Sequence, residues 1–376
     1  MKLPACFRHS AQRVPFCLTV AVSLLMVLFS ALPPRLAEPV SADKTRVVHD
    51  MAGHPVRLEG TARKVMIFAP MLWHYVNVDG SDKHVFAIAK YMKKEAQHTL
   101  FGKLYPGAAS KDEALTSAGA VPLGVEQVLL ERPDAVLSWT GFATGLENIR
   151  YPGLVKLDSD ASPANAVLYR LFGELAGQSQ RVQWLFDRYG RQVDDIRTNV
   201  PSGSQPAKII VLSSDRLYLW GANAAGFNAN LRLLNAENVA AGVKRQNGDT
   251  NIETLLGFDP EVIFIASYYM SAFFPADVYA DPRLRSLRAV KNRRVYRMPA
   301  GASRMEGPVE LPLLMAWMAE LLHPEITPKI RLREMIRQTY QEVYGYAMSE
   351  REMDELLQIE HNNISVNYER FARVPT

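Results

Sequence analysis

Val125-Glu126-Gln127-Val128-Leu129-Leu130-Glu131-Arg132-Pro133-Asp134-Ala135-Val136-Leu137 has a second copy in this chain. It returns as Ile252-Glu253-Thr254-Leu255-Leu256-Gly257-Phe258-Asp259-Pro260-Glu261-Val262-Ile263-Phe264, offset by 127 residues at every matched position. Each copy reads as a short helix, a proline stop and a buried strand. Proline lacks a backbone donor and its ring crowds the preceding turn, so the helix ends before it. The apolar run beyond is too short for a core helix and β-branched enough for a parallel strand. Two equivalent helix–strand units so far apart predict two similar lobes.

The rest of the chain fits that frame. Lys64–Phe68, Leu154–Leu157, Lys208–Leu212 and Arg294–Met298 read as further strands, and helical periods lie between them. The predicted class is α/β with largely parallel sheets. Val182, Leu185, Phe186, Tyr189, Val193 and Ile196 recur at three- and four-residue steps, with Arg and Asp in the gaps. That spacing predicts an amphipathic helix of about five turns, a stiff connector between the lobes. The expected divisions are a leader over 1–42, an N-terminal lobe over 43–177, the connector over 178–201, a C-terminal lobe over 202–345, and a helix and tail over 346–376. From His361 the tail has no clear period and reads as poorly ordered.

The first residues carry a separate message. Lys2, Arg8 and Arg13 precede an apolar run from Val14 to Leu32, and Val40-Ser41-Ala42 stands before Asp43. This is the pattern of an export signal cleaved after Ala42; the alternative is a retained anchor, since the run is long. Cleavage removes four of 43 basic residues and one of 39 acidic residues, leaving 39 against 38. A near-neutral mature chain argues against a nucleic-acid binder, which needs a basic stripe. Both cysteines, Cys6 and Cys17, also leave. The mature chain then has no disulfide, thiolate nucleophile or Cys-bound metal, which suits an oxidising periplasm.

In open α/β sheets, ligands sit beyond the carboxyl ends of the strands. After the first strand comes a segment rich in large side chains, with Trp73, His74 and Tyr75, read as a loop. Trp139 ends the strand of the first repeat copy. Arg216, Tyr218 and Trp220 follow Leu212, Tyr268 and Tyr269 follow Ala266, and Arg304 follows Met298. Aromatics offer flat contact surface, and Arg binds carboxylate or catecholate oxygens through a fork of donors. A flat or bulky anionic ligand fits this lining. The bland readings are core positions for Trp73 and Tyr75 and surface ion pairs for Arg216 and Arg304. No phosphate-binding loop, dinucleotide fingerprint, zinc helix motif or nucleophile elbow is present, so an enzyme is not expected. No histidine pair has metal-ligand spacing, so no resident metal or cofactor is expected either.

Several motifs resemble one family, the periplasmic substrate-binding proteins of ABC importers for iron-siderophore, haem and cobalamin. Val48-His49-Asp50-Met51-Ala52-Gly53-His54-Pro55-Val56 is similar to its opening hairpin, and Arg132-Pro133-Asp134-Ala135-Val136-Leu137 to its Pro-Asp strand start. Asn235-Ala236-Glu237-Asn238-Val239-Ala240 is similar to its small-Glu-Asn segment. Ala289-Val290-Lys291-Asn292-Arg293-Arg294-Val295-Tyr296 is the most specific match, and Tyr344-Gly345 resembles the tail of the iron-complex branch. The segment from Val78 to Gly119 departs from the pattern. The resemblance implies two lobes on one long helix and a shallow cleft with little hinge motion. It implies a monomer that captures an iron chelate and docks on a permease dimer through a glutamate on each lobe, here Glu147 and Glu237. Haem or a corrinoid is the alternative cargo, with Trp73, Trp139 and Trp220 stacking and His74 near the metal. An exported α/β enzyme or a metal-cluster protein of the same architecture is the alternative of another class.

Overall fold

The protein is seen here as a computed structural model describing residues 45–114, 125–158, 166–201, 205–213, 219–221, 224–243, 251–267, 271–326 and 331–373. The expected leader, with its cleavage point at Ala42, lies outside them. Among the described residues no helix is long and apolar enough to cross a membrane.

An antiparallel hairpin, β1 (Thr45–His49) with β2 (Pro55–Glu59), precedes the first sheet. That sheet comprises β3 (Val65–Ile67), β4 (Val85–Ala89), β5 (Asp112–Ala114), β6 (Ala135–Trp139) and β7 (Leu154–Leu157), in the order β5-β4-β3-β6-β7. The second holds β8 (Ala207–Leu212), β9 (Ala236–Asn238), β10 (Val262–Ile265) and β11 (Val295–Arg297), in the order β11-β10-β8-β9. Every pairing in both sheets is parallel. Between the sheets runs a helix of 21 residues, Ser179–Asn199. The two lobes predicted by the repeat are therefore present, joined by one long helix.

The repeat holds at the level of backbone geometry. Val125–Glu131 and Ile252–Phe258 are helices. Each is followed, directly before its proline, by a left-handed residue: Arg132 at φ 49° and Asp259 at φ 38°. The strands that follow take equivalent places, Ala135 opposite Val65 and Val262 opposite Ile209.

Three segments differ from the sequence reading. Leu72–Asp79 is a helix, closed by Gly80 at φ 73°, and all its residues are buried. Polar and apolar residues alike are buried on every side of it, so no amphipathic period marks the helix. Within 78–114, where the chain departs from the family pattern, a helix expected over about 82–94 and a loop or broken helix expected from Thr99 are found as strand β4 followed by helices Lys90–His98 and Leu100–Leu104 and strand β5. The tail packs rather than straggles. Tyr368 and Phe371 are buried, and the Trp317 ring N–H donates to the Tyr368 hydroxyl at 3.0 Å. Asn362 donates to the Arg297 carbonyl and accepts from its N–H, fastening the tail beside β11.

One loop ties the lobes together. Glu310, fully buried on helix Gly307–Leu322, accepts from the backbone N–H groups of Ala302, Ser303 and Met305 at 2.8–3.0 Å and from the Tyr340 hydroxyl at 2.5 Å. Burial pushes this carboxyl up, while those donors pull it down. Arg304 and Met305 are left-handed, at φ 56° and 57°, and Gly307 follows at φ 67°. A Cβ on Gly307 would lie 2.2 Å from the Tyr169 hydroxyl and 3.0 Å from His74 Nδ1, so only glycine fits. Ser303 Oγ accepts from Asn77 Nδ2 at 2.9 Å, and Arg181 of the long helix donates to the Asn77 and Val343 carbonyls.

Behind this junction a cavity of about 430 Å³ lies between the long helix and helices Gly307–Leu322 and Leu332–Tyr344. Glu320 lines it, and one of its carboxylate oxygens is buried without a hydrogen-bond partner.

Two predictions follow from these buried carboxylates. Glu310→Gln puts an amide donor where only donors converge. We predict a loss of about 3 kcal/mol or more in urea unfolding, typical of breaking a buried charged network; a loss below about 1 kcal/mol would contradict this role. Glu320 is raised by burial to about 7, against the pull of Arg370 and Arg331. The folded chain thus keeps a proton that the unfolded chain releases at about 4.3, and stability falls as pH rises between these values. Glu320→Gln is predicted to match the parent melting temperature near pH 4 and exceed it at pH 8; parallel curves would refute the assignment.

Candidate functional site

In a doubly wound sheet the crevice opens where neighbouring strands send their connections to opposite sides. In the first sheet β3 leads to β4 and β6 leads to β7, so the crevice lies at the carboxyl ends of β3 and β6. In the second, β8 leads to β9 and β10 to β11, and the crevice lies at the ends of β8 and β10. Trp139 is the last residue of β6 and is half-buried. Trp220 follows β8 beyond a bridge between Leu212 and Leu219; it is also half-buried, with its ring edge-on to Phe227 at 5.1 Å. Trp139 thus sits at a switch point, whereas Trp220 runs back along the β9 edge of β8, its N–H donating to the Val211 carbonyl and its carbonyl accepting from Asn238. Arg216, Tyr218, Tyr268 and Tyr269 lie outside the described residues.

Trp73, His74 and Tyr75 are elsewhere. They are 2%, 0% and 0% exposed, inside the N-terminal lobe. His74 Nδ1 is 2.8 Å from the Tyr169 hydroxyl, and Nε2 is 3.4 Å from a carboxylate oxygen of Glu306. Tyr75 packs edge-on against Phe172. These side chains build the floor of the lobe and present no surface to a ligand. The physical reason is the helix: a buried helix directs every side chain into protein, where an open loop would not.

Arg304 has a defined setting that the sequence did not reveal. Its Nε donates to Glu95 Oε1 at 2.7 Å, and Nη2 donates to Glu95 Oε2. Its guanidinium carbon lies 4.2 Å from the centroid of the Trp73 ring. The side chain remains 23% exposed, while that of Glu95 is 8% exposed. Trp73 therefore acts from beneath, as a cation–π support for the arginine. Tyr91, a turn before Glu95, belongs to the same group. Burial raises its hydroxyl pKa, with Arg304 pulling down and Glu95 pushing up. Nothing in Lys90-Tyr91-Met92-Lys93-Lys94-Glu95 marks either residue, because such a run reads as a solvated helix face.

A second arginine shapes the rim. Arg297, at the end of β11, donates to the carbonyls of Phe273 and Ser271 at 2.6 and 2.8 Å and lies over the Phe274 ring. It holds in place the part of the β10 loop that can be described. On the outer surfaces, Glu147 sits on the short helix Thr144–Asn148 and pairs with Lys156 at 3.1 Å. Glu237 is exposed on the edge strand β9. The 430 Å³ cavity lies among helices, away from the strand ends, and is not part of this group.

The strand ends thus carry one indole at a switch point, Trp139, and the loop beyond β11 carries one oriented, partly exposed guanidinium. An indole face can pack against a flat solute, and a guanidinium can give directed hydrogen bonds to oxygens.

Comparison with known proteins agrees with this architecture. A periplasmic solute binding protein from Veillonella parvula superposes with a TM-score of 0.73 at 24% identity, covering 85% of this chain and 99% of that one. The molybdate-bound MolA of Haemophilus influenzae gives 0.67 at 16% identity, over 81% and 99%. CeuE of Helicobacter pylori, in a nickel–histidine complex, gives 0.66 at 19% identity, over 84% and 99%. At these identities the likeness speaks for the fold. No curated protein shows significant sequence similarity to the chain. The sequence profile of the periplasmic binding protein family matches residues 106–302, just over half of the chain, from the first lobe through the Arg304 loop's first residues. The chain belongs to the periplasmic binding protein family.

Proposed function

We propose that this chain is the substrate-binding component of an ABC importer and that it works in the periplasm as a monomer. Its cargo is an iron chelate, a ferric siderophore, handed unchanged to the permease dimer. The observation that carries this reading is the guanidinium of Arg304, held by Glu95 on the loop beyond β11 and still partly open to solvent. A chelate surrounds its metal with hydroxamate, carboxylate or catecholate oxygens, and a fixed fork of donors suits such a surface. Trp139 and Trp220 supply flat contact area from the two lobes. Fold relatives named for bound molybdate and for nickel–histidine support a metal-containing solute. The ties from the Arg304 loop to Asn77 and Tyr169 favour a cleft with little hinge motion, so few groups need ordering on capture. Haem or a corrinoid would gain no axial ligand from His74, which is fully buried.

Docking is assigned to Glu147 and Glu237, one on each lobe. Glu237 is open to solvent, whereas Glu147 would exchange Lys156 for an arginine of the permease.

Tryptophan fluorescence of the purified chain is predicted to change saturably with ferric siderophores. Arg304→Ala is predicted to weaken that binding about tenfold or more; an unchanged dissociation constant would remove Arg304 from the site. Glu147→Ala combined with Glu237→Ala is predicted to abolish uptake while leaving affinity intact. Normal uptake by the double variant would move docking elsewhere.

A further inference from the structure

We infer that Glu95 sets the charge of the cargo: it selects chelates of net positive or zwitterionic character over polyanionic ones. The inference rests on the reading of Arg304 as a cargo-binding residue and adds the class of chelate.

The geometry makes Glu95 an internal occupant of the arginine. Both of its oxygens engage Arg304, through Nε and Nη2, one of the two edges through which a guanidinium meets a carboxylate or catecholate bidentately, so an anion on the other edge would stand beside Glu95. Among the described residues Glu95 has no other hydrogen-bond partner, and its side chain is only 8% exposed. A polyanionic chelate that took over Arg304 would leave this carboxylate buried, unpaired and beside further negative charge. Breaking a buried pair from one side in this way is strongly unfavourable, and like charges brought together add to the cost.

A chelate with a cationic arm or a strong hydrogen-bond donor avoids that penalty. Its metal-bound oxygens meet the guanidinium while its ammonium or N–H meets Glu95, so both charges stay satisfied. Two described neighbours of the guanidinium bring no positive charge. Trp73 covers one face of the guanidinium and has only an indole N–H to offer. Tyr91 carries a hydroxyl that burial keeps neutral. Neither can compensate a second negative charge.

Two probes and three proteins test this. Ferrioxamine B is a net cationic ferric trihydroxamate, and a ferric tris-catecholate is polyanionic. Dissociation constants for both are measured with the parent chain, Glu95→Gln and the neutral pair Glu95→Gln/Arg304→Gln. Glu95→Gln keeps the shape and an acceptor for Arg304; circular dichroism and melting temperature check its fold, and the double variant removes the unpaired charge should the single one be destabilised. The parent is expected to bind the trihydroxamate more tightly. Glu95→Gln is expected to raise tris-catecholate affinity by about tenfold or more and to narrow or invert the preference. The double variant is expected to discriminate least. If a folded Glu95→Gln keeps the parent preference, or if the parent favours the tris-catecholate, the charge filter is refuted while the binding-protein reading stands. If no variant binds either probe, the ferric-chelate reading falls, and this inference with it.

Discussion

The carboxylate of Glu310 is the constraint on which the junction of the two lobes depends. It sits in the first turn of a helix that is apolar apart from it and Glu320, and it gathers three backbone N–H groups and a tyrosine hydroxyl. A left-handed residue other than glycine costs about 1 kcal/mol or more, and this loop holds two in succession, Arg304 and Met305. Charge-assisted hydrogen bonds of the kind Glu310 accepts contribute enough to offset that cost. Once the loop is set, its consequences are geometric. Ser303 meets Asn77, Arg304 meets Glu95, and Gly307 passes close to Tyr169 and His74. Each contact joins the C-terminal lobe to the N-terminal one, and all start within five consecutive residues.

The repeat explains why so much of the fold was readable. Helix, proline and strand are local signals, and both copies carry all three, down to the left-handed residue before each proline. The long connector announced itself by its period. What escaped was long-range pairing. Glu95 is one carboxylate in a basic helix and meets its partner 209 residues away. Glu310 could have been suspected, since an acid flanked by Val, Leu and Pro has no solvent to face. The Trp73 segment was misread because a helix buried on all sides, with His74, Asn77 and Asp79 among its apolar residues, shows no amphipathic period to read. Tyr368 and Phe371 were three residues apart in a polar tail, too short a pattern to predict burial.

Fold and cargo separate cleanly here. The two-lobed frame is shared with proteins whose names cite a bare oxyanion and a nickel complex. A common scaffold therefore leaves selectivity to a few side chains at the strand ends. For this chain we propose two half-buried indoles and the Arg304–Glu95 ion pair, drawn from both lobes, in that role. On that proposal the pair, nearly neutral overall, favours a solute that answers both charges and not merely one. The void behind the connector is lined by helices rather than strand ends and is no part of the proposed site.

The most direct test is a crystal structure of the protein soaked with a ferric trihydroxamate, read by anomalous scattering at the iron edge. The account predicts one strong iron peak in the crevice between Trp139 and Trp220, with chelate oxygens on Arg304 and a donor of the ligand on Glu95. Iron in the helical cavity beside Glu320, or bound only on the outer surface, would contradict it.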